Sequence, residues 1–126
     1  MVKTNKSIIT DVIQLAKINR IATEKESQEF SSMDNLEEIL SQNEEEKKIE
    51  EYLLNLDVEI IKELMIIMYV GRDGLGQDIS PEKCFENLED YFNRIGWEDK
   101  GSMIQHMISK VPFDKYLING CKLLNI

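Results

Sequence analysis

The residues best placed for chemistry lie within MIIMYVGRDGLGQDISPEKC, Met65 to Cys84. Tyr69, Arg72 and Asp73 sit there among Gly71, Gly74 and Gly76. Glycine-rich loops can cradle phosphates, because unhindered backbone N–H groups close around the anion. The spacing here is G-x-x-G-x-G, the reverse of the dinucleotide fingerprint, and no G-K-[ST] follows as a P-loop requires. No strand of a βαβ unit precedes it. The alternating ligands and closing glutamate of a calcium loop are also missing. A nucleotide site is therefore disfavoured. Arg72 keeps a physical role: at a helix C-terminus its guanidinium can bond loop carbonyls or form a fork with a carboxylate. The functional alternative is a small-ligand or phosphate site built from Arg72, Tyr69 and Asp73, with His106 nearby.

Other reactive side chains are few. Cys84, Cys121 and the single histidine, His106, cannot supply a four-ligand Cys/His zinc site. The two cysteines form no CxxC and read as buried apolar thiols. No metal and no cofactor is expected. His106 reads as a half-buried or surface histidine. No G-x-S-x-G surrounds a serine, and carboxylate neighbours such as Glu89-Asp90 are too common here to indicate acid–base work. The balance favours a protein that is not an enzyme. Trp97, the only tryptophan, reads as a core cap at a helix–helix corner, or alternatively as a partner anchor.

The chain has 126 residues, which favours one domain, and a net charge of −9. Residues 1–25 hold five Lys/Arg and two Asp/Glu, whereas residues 26–63 hold three and thirteen. Such acidity repels polyanions, so no nucleic acid is expected as a partner. A helix–turn–helix over 82–109 fails for the same reason: its second helix offers only Lys100 and Lys110 as basic groups. The run at Glu44, Glu45 and Glu46 reads as a solvated helix face, or as a docking surface for a basic protein partner. The longest apolar run, Leu64–Val70, is far short of the roughly 20 residues of a membrane span, so no membrane is expected. Polar residues interrupt any export signal near Ile8-Ile9, and a cytoplasmic location follows.

Apolar periodicity supplies the elements. Ile8, Ile9, Val12, Ile13, Leu15, Ala16 and Ile18 predict an amphipathic helix over about 7–22. The polar stretch 26–34 predicts a linker, making residues 1–25 an arm beside a helical domain of 35–126. The face of 7–22 could pair with a second copy, giving a homo-oligomer. Asp34 suits the N-cap of a second helix, extended by Ile49, Tyr52, Leu53 and Leu56. Asp57, with Glu59 and a Leu56–Ile61 staple, opens a central helix over 57–70. A buried strand competes for MIIMYV alone. Gly71 fits a left-handed C-terminal glycine. Ser80, Pro81 and Glu82 start a further helix that Gly96 stops. Helices over about 98–110 and 114–124 follow, with Pro112 between them. The fold class is all-α: a small bundle of five or six helices around 57–70.

The segment Met68-Tyr69-Val70-Gly71-Arg72, at the end of LDVEIIKELMIIMYVGRDG, resembles the motif of a bacterial family called domain of unknown function 3775. Tyr116-Leu117, followed by Gly120 in KYLINGCKLL, is similar to the end of such domains. The resemblance covers about residues 56–126; the long loop with Gly74 and Gly76 departs from it. It implies a small α-helical bacterial domain and no assigned activity.

Three functions stay open. The first is a non-catalytic interaction or regulatory module of a bacterium or phage, a regulator or immunity-type protein. The second is a ligand-binding or enzymatic domain using the Gly71–Gly76 loop. The third is a homo-oligomeric structural protein.

Overall fold

The computed structural model describes the backbone of residues 2–29, 36–76 and 78–126, and side chains of 2–22, 44–76 and 78–126. Six helices are found among them: α1 (Lys6–Glu29), α2 (Leu36–Leu54), α3 (Val58–Asp73), α4 (Pro81–Ile95), α5 (Lys100–Ser109) and α6 (Phe113–Leu124). The proposed cap at Asp34 lies outside the described residues. No strand occurs among the described residues, and MIIMYV is helical.

The apolar run of α3 makes it the core. Ile61, Leu64, Met65, Ile66, Ile67, Met68 and Val70 are all buried, each worth roughly 1.5–3 kcal/mol of transfer free energy. Helices α4, α5 and α6 pack around it, α6 most extensively.

Gly71 does not end α3. The helix continues to Asp73, and Gly74 closes it with φ 81° and an N–H to the Val70 carbonyl at 2.7 Å. Packing explains the glycine instead. A Cβ on Gly71 would lie 1.7 Å from the Tyr116 carbonyl oxygen, and one on Gly120 would lie 2.1 Å from that of Ile67. Two glycines on facing helices let α3 and α6 approach backbone to backbone. The cap at Asp57 is likewise only partly realised. Its backbone is extended, but its side chain makes no cap bond.

α4 begins and ends where its sequence punctuation lies. Ser80 Oγ accepts from the Lys83 N–H at 3.1 Å, Pro81 occupies the first turn, and Gly96 closes at φ 94°. α5 starts at a side-chain cap, Asp99, whose Oδ1 accepts from the Ser102 N–H at 2.9 Å. Those Ser102 hydrogen bonds favour the carboxylate and hold Asp99 below its ordinary range. A folded-state pKa below the unfolded one gives stability that is present above the unfolded value and lost as pH falls through the folded one. Asp99→Asn keeps a capping oxygen. We expect it to leave the neutral-pH melting temperature nearly unchanged and to flatten its decline below pH about 4, as thermal melts across pH 2–7 would record. The Val111–Pro112 peptide is cis, and Pro112 occupies the cap position of α6.

The N-terminal helix joins the body. Ile9, Val12 and Ala16 are buried in the common core, and α1 packs on α2 and α6. The expectation of residues 1–25 as a separate, tethered arm therefore meets a docked helix. The apolar face proposed for self-pairing is largely covered by the protein's own chain, with Ile18 and Ile21 exposed. Polarity alone predicts a linker at 26–34. Instead α1 runs to Glu29, and the rest of that stretch lies outside the described residues.

Long-range side-chain contacts help hold α1, two of them made by Tyr52 and Arg20. Tyr52 donates its hydroxyl to Asp11 Oδ2 at 3.0 Å. Arg20 Nε donates to both carboxylate oxygens of buried Asp114, at 2.9 and 3.2 Å. Asp114 also lies in the first turn of α6, where the helix end favours negative charge.

Candidate functional site: an acid-walled groove

α4 carries two kinds of surface. Cys84, Phe85, Leu88 and Phe92 pack against the core, of which only Phe85 is fully buried. Beside that stripe stand Glu82, Glu86, Glu89 and Asn93, at i, i+4, i+7 and i+11. That spacing places them on one helix face. On α3, Glu59 and Glu63 share a face at i, i+4 in the same way.

Between these faces and the N-terminal segment opens a groove of about 840 Å³. Half-buried Ile8 and Ile60 give it apolar surface, and the buried core residues Ile66 and Phe85 also line it. Five glutamates and two lysines, Lys3 and Lys62, surround that surface. Trp97 and Asn93 also line it, and the Trp97 Nε1–H donates to Asn93 Oδ1 at 2.6 Å.

The five carboxylates are not equivalent. Glu63 accepts from the backbone N–H groups of Lys3 and Thr4, both at 2.8 Å, and from the Thr4 hydroxyl. It pins the N-terminal segment to α3. Glu59 pairs with Lys62 at 3.3 Å. Glu82, Glu86 and Glu89 are exposed and have no ion pair among the described residues. Like charges at i, i+4 on a helix repel by a few tenths of a kcal/mol. A cationic ligand would relieve that repulsion.

An aromatic row backs the site. Trp97 stacks on Phe92 at 4.8 Å, and Phe92 meets Tyr69 at 5.5 Å. A cation stands over each end of the row: Lys62 Nζ is 5.2 Å from the Trp97 ring and Arg72 Cζ is 4.7 Å from the Tyr69 ring. Trp97 is half-buried, so it both packs on the core and faces the groove.

The residues singled out around the glycine loop also come together. Arg72 forks onto its neighbour Asp73, Nε to Oδ1 at 3.0 Å and Nη2 to Oδ2 at 3.2 Å. This is the carboxylate fork expected of it, and it occupies the guanidinium edge that a phosphate would use. Tyr69 Oη lies 2.7 Å from His106 Nε2, tying α3 to α5. Burial pushes the Tyr69 phenol above its ordinary value, with Arg72 opposing. On its other side, His106 Nδ1 is 3.9 Å from Glu98 Oε1, too long for a hydrogen bond. The Tyr69–His106 contact had no local sequence signal; it joins α3 to α5 through two half-buried side chains.

Tyr69, Arg72 and Asp73 do not line the groove. Nor do Glu44, Glu45 and Glu46, which lie on α2, with Glu45 paired to Lys48 at 3.2 Å. Of the partner-binding candidates, Trp97 alone lines it. Glu82, Glu86 and Glu89 were legible only as a spacing within the α4 sequence. Cys84 and Cys121 are partly rather than fully buried, and burial pushes both thiols up.

Among the described residues, no cluster of His, Cys, Asp and Glu is arranged to hold a metal ion, and no helix is long and apolar enough to cross a membrane. Compared with known proteins, the chain matches no family model, no curated protein and no solved structure.

Proposed function

We propose that this protein is a non-catalytic interaction module, a cytoplasmic regulator or immunity-type protein of a bacterium or phage, whose partner is a basic protein. The groove between the N-terminal segment, α3 and α4 carries this reading. It combines half-buried apolar surface, a tryptophan and three glutamates that have no ion pair among the described residues. Apolar surface supplies affinity. Unpaired carboxylates steer a cationic partner into place and reject acidic ones. The resemblance at Met68–Arg72 is compatible with this reading and brings no activity to it.

Affinity capture tests it. Immobilised protein exposed to host lysate at low salt is expected to retain a basic protein. Retention should weaken steeply between 50 and 300 mM salt (our chosen range), since the Debye length is only about 8 Å near 0.15 M. Capture of an acidic protein, or retention indifferent to salt, would contradict the reading.

A further inference from the structure

Resting on that reading, we infer that the groove receives its partner as a cationic amphipathic α-helix rather than as an extended strand or loop.

The carboxylates of α4 set the spacing. Glu82, Glu86 and Glu89 lie at i, i+4 and i+7 on a continuous helix, so their axial separations are about 6.0 and 4.5 Å. Lys or Arg at i, i+4 and i+7 of a helix lying parallel to α4 presents charges at the same two separations in the same order. Same-face residues of an extended strand recur every 6.6–6.8 Å or so, and they fall out of step by the third carboxylate. The row from Glu82 to Asn93 spans about 16 Å, or roughly three turns of a bound helix.

The apolar surface supplies the second half of the match. Ile8, Ile60 and Trp97, all half-buried, offer the groove's accessible apolar surface beside the glutamates. A helix with an apolar stripe bordered by cations would seat the stripe there and its charges on α4. Its apolar face would then bring it against Trp97, whose ring already carries Lys62 on one face. Lys62 and Lys3 stand on the α3 and N-terminal side of the groove. They repel a cation there and so fix which wall the charged edge takes.

Trp97 is the only tryptophan, so its emission reports occupancy directly. The test uses two synthetic peptides of identical composition. One is an amphipathic helix-former with Lys at i, i+4 and i+7 beside a leucine stripe. The other has its sequence rearranged around two central prolines. The helical peptide should shift Trp97 emission saturably and gain helical circular dichroism on binding. The proline peptide should bind at least tenfold more weakly. A protein carrying Glu82→Lys, Glu86→Lys and Glu89→Lys together should also bind the helical peptide at least tenfold more weakly. If that variant does not melt cooperatively, the triple Glu→Gln variant replaces it, with the same expected direction.

Equal binding of both peptides would overturn the helical occupant and leave the basic-partner reading standing. No binding of either would also overturn it, while the lysate capture decides separately on a basic partner. Undiminished binding to the charge-altered protein would overturn the placement on α4.

Discussion

Gly71→Ala and Gly120→Ala will each lower stability by about 3 kcal/mol, against the direction that helix propensity predicts. Both residues lie inside helices, where alanine is ordinarily better than glycine by about 1 kcal/mol. Sterics decide the sign. The added methyl would meet backbone, not a movable side-chain end: the Tyr116 carbonyl at 1.7 Å and the Gly120 nitrogen at 2.7 Å for Gly71, and the Ile67 carbonyl at 2.1 Å for Gly120. Relief requires α3 and α6 to move apart. That separation loosens the most extensive helix pair among the described residues, and with it Leu117 and Ile67, both fully buried. Gly101→Ala is the control. Its methyl would find only Asp99 Oδ1, at 3.4 Å, and stability should hold or rise by a few tenths of a kcal/mol. Urea unfolding should show lower midpoints for the first two variants with the slope unchanged. A midpoint at or above wild type for Gly71→Ala would refute the close helix crossing.

The second large effect concerns Arg20 and Asp114. Asp114 is 2% exposed, whereas the Arg20 side chain is 18% exposed. Removing the arginine leaves a buried carboxylate without its cation. Removing the aspartate leaves a guanidinium that is the more exposed member of the pair. Arg20→Met should therefore cost more than Asp114→Asn, about 3–5 kcal/mol for breaking such a pair from the buried side. Replacing both by apolar residues should recover much of the loss, because desolvation of the two charges offsets much of their attraction. A double-mutant cycle on unfolding free energies measures the coupling. Additive single effects would show that the pair does not fasten α1 to α6.

These two sites show why part of the fold could not be read locally. Ser80, Pro81 and Gly96 act on their own neighbours, so the limits of α4 follow from their chemistry. The apolar run Leu64–Val70 needs no partner to be recognised as central. Gly71 was different. Local rules make a glycine after an apolar run a stop, but its function is set by Tyr116 and Gly120, which the chain reaches only after two intervening helices. Arg20 likewise carries no local sign of its role, because its partner lies 94 residues away.

The site divides in the same way. Trp97 and the fork of Arg72 with a carboxylate were within reach of sequence reasoning. The glutamates of α4 carried a helical spacing, but no sequence rule says that α3 faces them across a groove. The denser run at Glu44–Glu46 drew attention instead, and it stands on α2, away from that groove.

The central claim is that a basic partner docks between α3 and α4. It is tested most directly by comparing two charge-reversed proteins against the partner that the wild type captures. One carries Glu82→Lys, Glu86→Lys and Glu89→Lys; the other carries Glu44→Lys, Glu45→Lys and Glu46→Lys. Both change net charge equally. Loss of at least tenfold in affinity for the α4 variant, with the α2 variant close to wild type, is the predicted result. Equal losses in both, or a loss confined to the α2 variant, would contradict it.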